Sequence, residues 1–151
     1  MNATIEVVNA SGTRSVPRKH QFHTWATAAL NGAKHKGAAS VSLRLVDEKE
    51  GRKLNSKYRN KAHATNVLSF PVPASLPASG YLGDIALCTA IVKKEAKEQG
   101  KLALDHWAHL TVHGVLHLLG YDHERVNDAK KMEALEVRIL HKLGIDNPYL
   151  P

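Results

Sequence analysis

Three histidines, His113, His117 and His123, stand at the spacing H-x₃-H-x₅-H in the run His113-Gly114-Val115-Leu116-His117-Leu118-Leu119-Gly120-Tyr121-Asp122-His123. That spacing constrains the fold more than any other feature of the chain. His113 and His117 are four apart, so on a helix they project from one face, one turn above the other. Gly120 permits the chain to reverse out of that helix, and His123 can then swing back toward the same point. Three imidazoles converging with a fourth position open make a catalytic zinc site rather than a closed structural one. A helical histidine pair alone is more often a surface or core feature. The third histidine at the matching offset, after a turning glycine, makes metal ligation the better reading.

The same ligand spacing occurs in the metzincin protease motif H-E-x-x-H-x-x-G-x-x-H, whose glutamate is the general base. Here Gly114 takes that position, so the ligand frame is present and the peptidase base is not. A zinc peptidase is therefore an alternative that the chemistry opposes. His106 and His109 lie on the preceding turns. A fourth protein ligand would close the site, so both are read as supporting residues, structural before anything else. His20, His23, His35, His63 and His141 have no partner at ligand spacing.

With 151 residues the chain has the size of one domain with a real core, and residues 1–151 are read as a single domain. Hydrophobic residues make up 43 %, which excludes a disordered chain. No apolar run approaches a membrane span, and Met1-Asn2-Ala3-Thr4 opens no signal peptide. The single Cys88 cannot form an internal disulfide, so a cytoplasmic protein with no membrane partner is expected. Against 14 acidic residues stand 21 lysines and arginines, a net charge of +7 that favours polyanions such as RNA or DNA. Arg52, Lys53, Lys57, Arg59 and Lys61 form a basic run with no acid among them. By itself that run is equally a solvated helix face, and phosphate binding becomes the better reading only if it lies beside the metal.

Thr4 to Asn9 reads as a short opening strand. Pro17 sits at a helix start, followed by Phe22, Trp25, Ala26, Ala29 and Leu30 at helical spacing, with Gly32 as a stop. Val41, Leu43 and Leu45 alternate with Ser42 and Arg44, which predicts a strand with one wetter face. A turn from Asp47 to Gly51 leads into a short basic helix over about residues 51–60. Val67 to Phe70 is a strand closed by Pro71 and Pro73, which favours a sheet edge. Residues 71–83 form the longest expected loop. Asp84 to Cys88 is a further strand, and Thr89 caps a helix that ends at Gly100. Leu104 to Leu119 is the clearest helix, apolar through Leu104, Trp107, Ala108, Val115 and Leu118. The last helix runs from about Asp128 to Leu143, with Met132, Leu135, Ile139 and Leu143 as its buried stripe and Gly144 as its stop. The fold class is α+β (mixed α/β): one small sheet of about four strands, covered by helices collected toward the C-terminal half. The metal site stands on a central helix of that half, and Trp25 and Trp107 lie in the core.

The motif from His113 to His123 resembles the signature of the YbeY endoribonucleases, bacterial metal-dependent enzymes of ribosomal RNA maturation and ribosome quality control. Leu54-Asn55-Ser56-Lys57-Tyr58-Arg59, followed by Thr65-Asn66-Val67-Leu68-Ser69-Phe70-Pro71, is similar to a second block of that family. Gly83-Asp84-Ile85 and Met132-Glu133-Ala134-Leu135-Glu136 resemble two more of its segments, so the likeness covers essentially the whole chain in order. The resemblance implies that His113, His117 and His123 bind one ion, Zn2+ or another divalent transition metal. It also implies that Arg59 works in a cleft beside that ion. The implied activity is a single-strand-specific, metal-dependent endoribonuclease that matures the 3′ end of small-subunit ribosomal RNA. The implied partners are single-stranded RNA, ribosomal RNA, the small ribosomal subunit and a ribosome-associated GTPase. Family members usually carry an aspartate three residues after the arginine and a proline before the threonine. This chain has Ala62 and Ala64 there, and alanine anchors no hydrogen bond in that loop.

On this reading the catalytic residues are Arg59 and His113. Three neutral imidazoles leave the ion its charge, which acidifies water or polarises a phosphoryl oxygen. Phosphodiester cleavage places negative charge on the non-bridging oxygens, and the fork of Arg59 can hold two of them where a lysine holds one. Asp122, Glu124 and solvent at the ion are open as the base, and Asp122 is read first as a partner that orients a ligand histidine. Tyr121 and Met132 are read as packing, and the nucleophile is water or the RNA's own 2′-OH. The competing class is a non-catalytic ribosome-assembly factor whose metal staples the C-terminal helices, which chelation would unfold.

Overall fold

The computed structural model describes residues 3–61, 63–73 and 80–150. Ala62 and residues 74–79, which make up much of the expected long loop, lie outside the described residues. The elements run β1 (Ala3–Asn9), α1 (Lys19–Gly32), β2 (Ala39–Val46), α2 (Glu48–Arg59), β3 (Val67–Pro71), β4 (Tyr81–Cys88), α3 (Thr89–Glu98), α4 (Ala103–Leu118) and α5 (Val126–Lys142). The four strands form one mixed sheet in the order β1-β2-β4-β3, an α+β fold as expected. β1 pairs parallel with β2 (Ile5 opposite Val41), and β2 parallel with β4 (Leu43 opposite Ile85). β3 runs antiparallel to β4, with Ser69 opposite Ile85. It is a sheet edge, as Pro71 and Pro73 foretell, because a proline cannot donate to a further strand.

Strand alternation sorts the side chains onto two faces. Val41, Leu43, Leu45, Ile85 and Leu87 join the core with α1 and α4. Arg44 and Asp84 look the other way, toward α2, where Arg44 Nε donates to Glu50 Oε2 at 2.6 Å. In the core Phe22 is fully buried and meets Trp25 and Trp107 edge-on, with ring centroids 5.4 and 5.8 Å apart. Burying a side chain of that size is worth about 1.5–3 kcal/mol, and each aromatic pair adds about 0.5–1.5 kcal/mol. That cluster fixes α4 against α1 and so sets where the histidines of its last turns stand.

Several element ends differ from the sequence expectations for identifiable reasons. α2 begins at Glu48 rather than near residue 51, because Asp47 accepts from the Glu50 N–H at 2.8 Å and acts as its cap. α1 ends at Gly32 as expected, but not through a left-handed glycine, since the left-handed residue is Lys34 (φ 57°). Gly32 is there because α5 crosses it: a Cβ would lie 2.4 Å from Ile139 Cγ1. Thr89 is the first residue of α3, not its cap, since Cys88 takes the cap position. Leu104 is 48 % exposed and is no part of the core. In α5, Met132, Leu135 and Ile139 are buried as expected, joined by Leu140 and by a charged residue, Glu136.

Candidate metal centre

α4 ends where the sequence requires it to. The Gly120 N–H donates to the His117 carbonyl and the Tyr121 N–H to the Leu116 carbonyl, both at 3.0 Å, with Gly120 at φ +99°. This paired closure turns the chain sharply back along α4, and a left-handed position of this kind favours glycine. Asp122 then accepts from the backbone N–H groups of His123 (2.7 Å) and Glu124 (3.2 Å), which tightens the return. His123 arrives with Nδ1 3.1 Å from His117 Nε2, and His113 Nε2 lies 3.0 Å from the same atom. His113 and His117 are half-buried and His123 is exposed.

These three nitrogens suit a cation better than one another. Each ring nitrogen offers one lone pair or one proton, so His117 Nε2 cannot satisfy both neighbours. A tetrahedral zinc site with Zn–N bonds of about 2.0–2.1 Å sets neighbouring ligand nitrogens about 3.3 Å apart, close to the spacing found here. The electrostatics also favour the ligating form. Burial lowers the His117 pKa from 6.5 to about 4, helped by the nearby His113 and His123 rings, so the imidazole is neutral at neutral pH.

The sequence reading missed Glu136. This carboxylate on α5 is buried and faces α4. Its Oε1 lies 3.2 Å from His113 Nδ1, while Oε2 takes His109 Nε2 at 2.7 Å and the Tyr149 hydroxyl at 2.9 Å. Burial pushes its pKa up, but the hydrogen bonds and charges of His109 and His113 outweigh that and hold it at about 2. Burial and the Glu136 charge in turn raise the Tyr149 hydroxyl. The carboxylate beside a candidate ligand is therefore Glu136, whereas Asp122 bonds backbone. The available signal was Glu136 standing four residues after Met132 and four before Leu140, a charge within an apolar stripe. His109, expected to be structural, supports this carboxylate. His106 is buried against Glu95 at 2.9 Å, away from the three histidines, and burial lowers its pKa.

The three histidines open on a cleft of about 800 Å³ whose lining also includes Arg59, Lys61, His63, Asn66 and Ser69. Arg59 Nη2 donates to the Ser69 carbonyl at 3.2 Å, and Ser69 Oγ donates to the Gly114 carbonyl at 3.0 Å, which ties α2, β3 and α4 together at the cleft. Of the basic run, only Arg59 and Lys61 line this cleft. Arg52 pairs with Glu48 at 3.8 Å, and Lys57 lies over the Tyr58 ring at 5.2 Å. In the loop with Ala62 and Ala64, the anchor among the described residues is Asn55, whose side chain donates to the His63 carbonyl at 2.6 Å. Tyr121 packs against the core as expected. At Gly114 a Cβ would stand 3.0 Å from Ile85 Cγ2, so this position faces the sheet and a glutamate base has no room there.

A sequence model described as "Endoribonuclease YbeY" matches residues 6–144. A protein of that name from Alkalilimnicola ehrlichii is 51 % identical over 140 residues, covering 89 % of this chain and 82 % of the relative. Its counterpart in Stenotrophomonas maltophilia is 52 % identical over 139 residues, covering 89 % and 85 %. That of Idiomarina loihiensis is 42 % identical over 149 residues, covering 97 % and 91 %. The solution structure of TM1509 from Thermotoga maritima shares the fold, with a TM-score of 0.59 at 23 % identity over 98 % of this chain and 100 % of that one.

Proposed function

This chain belongs to the YbeY family of endoribonucleases, and we propose that it cuts single-stranded RNA with one zinc-type ion held by His113, His117 and His123. The observation that carries the proposal is the convergence of three ring nitrogens within 4.8 Å of one another in a cleft that also holds a guanidinium. When bound, such an ion supplies a positive charge that polarises a phosphoryl oxygen and acidifies water. The protein's own share is positioning. Arg59 presents its fork to the non-bridging oxygens and stabilises the charge that grows on them. Lys61 adds a second cation along the backbone path. The carbonyl of Ser69 takes one donor of Arg59 and so limits how the guanidinium can turn. A cleft of about 800 Å³ has room for an extended strand.

The strongly positive chain and the family together support ribosomal RNA as substrate. We extend the proposal to the 3′ end of small-subunit ribosomal RNA, with the small ribosomal subunit and a ribosome-associated GTPase as partners in the cytoplasm. Among the described residues no helix is long and apolar enough to cross a membrane.

Chelation tests this against the metal staple. The three histidines span only residues 113 to 123, and Glu136 of α5 reaches His113 Nδ1 at 3.2 Å on the ring edge away from His117, so an ion on these histidines leaves the core to its own packing. A chelator should abolish cleavage of a labelled single-stranded RNA while far-ultraviolet circular dichroism keeps its helical signal. Unfolding on chelation would favour the staple.

A further inference from the structure

A second positive surface lies on the far flank of α3 from the cleft. Asn66, in the cleft wall, donates to Glu95 at 3.0 Å on one side of this helix. Lys93 and Lys97 are four apart on the opposite side, where they line a groove with Arg18 and Lys101. The groove is closed by the segment before α1, where Ser15 accepts from Lys93, and by the first turns of α4. Its lining contains no acidic residue. Among the described residues the lysine and arginine ion pairs are Arg44–Glu50, Arg52–Glu48 and Lys94–Glu98, so none of the four groove cations has a carboxylate partner.

Lys93 donates to the Ser15 hydroxyl and Lys101 to the Pro148 carbonyl at 2.8 Å, but neither partner carries a charge, so the four cations repel one another without a carboxylate paired to any of them. A bound polyanion would offset that repulsion. The rim also carries apolar surface, since Leu104 is 48 % exposed beside the cations. Phosphates with sugars and bases between them match such a mixture of charge and apolar surface. α3, about 10–12 Å across with its side chains, lies between Asn66 of the cleft wall and the groove. Its exposed crest carries Lys94.

We propose that this groove is a second RNA-docking surface, which takes the phosphate backbone of RNA flanking the segment in the cleft. The inference rests on the endoribonuclease reading above. It adds that long substrates are held at two places and that the grip on flanking RNA is separate from the cutting site. Phosphate contacts of this kind are independent of sequence, so the groove should raise affinity for length rather than for a particular base.

The test uses zinc-loaded full-length protein and two labelled probes, 2′-O-methyl hexauridylate and 2′-O-methyl polyuridylate, read by fluorescence anisotropy. Reversing both helix cations (Lys93→Glu with Lys97→Glu) should weaken polyuridylate binding at least about tenfold and make its salt dependence shallower by about two phosphate contacts. Hexauridylate binding and cleavage of unmodified hexauridylate should stay unchanged. The neutral pair Lys93→Gln with Lys97→Gln should act in the same direction by less, which separates charge from a folding defect. Unchanged polyuridylate affinity would overturn the proposal, as would an equal loss for both probes. Polyglutamate binding as tightly as polyuridylate, and lost in the variant, would reassign the groove to an acidic protein. A wild type that neither binds nor cuts either RNA would remove the endoribonuclease reading itself.

Discussion

His113 Nδ1 stands 3.2 Å from Glu136 Oε1, joining the first turn of the histidine motif to a buried carboxylate on the next helix. With that nitrogen donating its proton, the lone pair of His113 is left on Nε2, the atom that faces His117. His109 and Tyr149 hold the other carboxylate oxygen, so the pair is braced from a third side.

Replacing this carboxylate tests the brace. Glu136→Gln keeps the volume but loses the charge that fixes the His113 tautomer, and zinc affinity should fall about 10–100-fold. Competition with a chromophoric chelator measures it. Tyr149→Phe removes one hydrogen bond to the same oxygen and should cost less.

The role of Arg59 is separable from metal binding because it bonds Ser69 and none of the histidines. Arg59→Ala should bind zinc as the wild type does and lose about 10²–10³-fold in kcat on single-stranded RNA. Arg59→Lys should fall between, since it keeps the charge without the fork. Equal rates for all three proteins would dismiss the phosphate clamp.

Acid should destabilise the metal-free protein in two windows. His117 has its folded pKa lowered from 6.5 to about 4, so the unfolded chain binds more protons between those values. Its contribution is complete above pH 6.5 and is lost as pH falls toward 4. Glu136, lowered from 4.5 to about 2, contributes fully above pH 4.5 and loses that contribution as pH falls toward 2. Melting temperature followed against pH should show both falls, and Glu136→Gln should lack the second. Zinc should dissociate over the upper window, because protons compete for the same lone pairs.

Gly114 is set by packing. A Cβ there meets Ile85 Cγ2 at 3.0 Å and Cδ1 at 3.1 Å, so Gly114→Ala should cost about 1–3 kcal/mol by overpacking, partly offset by about 1 kcal/mol of helix propensity. Gly114→Glu should be far more damaging and should yield no peptidase. Urea unfolding and a casein assay check the two statements.

Sequence alone goes far with this chain because its signals are local and periodic. The histidine spacing and the turning glycine specify a helix, a reversal and a convergence, all within eleven residues. Phe22, Trp25, Ala26, Ala29 and Leu30 are recognisable as a buried face because helical spacing leaves them no other arrangement. What sequence misses is tertiary. Glu136 lies 23 residues beyond His113, and no local rule pairs them. Asp122 looks like the partner because it is adjacent, yet its Oδ1 takes the backbone N–H groups of His123 and Glu124 rather than a ring nitrogen. Leu104 fits the apolar pattern of α4 but stands on the turn that projects beyond the core. Gly32 does end α1, but the crossing helix whose Ile139 leaves no room for a Cβ there is invisible to local sequence.

The central claim is that His113, His117 and His123 together hold the ion on which RNA cleavage depends. It is tested most directly by titrating zinc into wild type and His117→Ala while following cleavage of one labelled single-stranded RNA in the same samples. The wild type should bind one ion and gain cleavage in step with occupancy, while His117→Ala should bind RNA, fail to hold zinc and cut nothing. Cleavage by His117→Ala at the wild-type rate, or by wild type fully stripped of metal, would contradict the account.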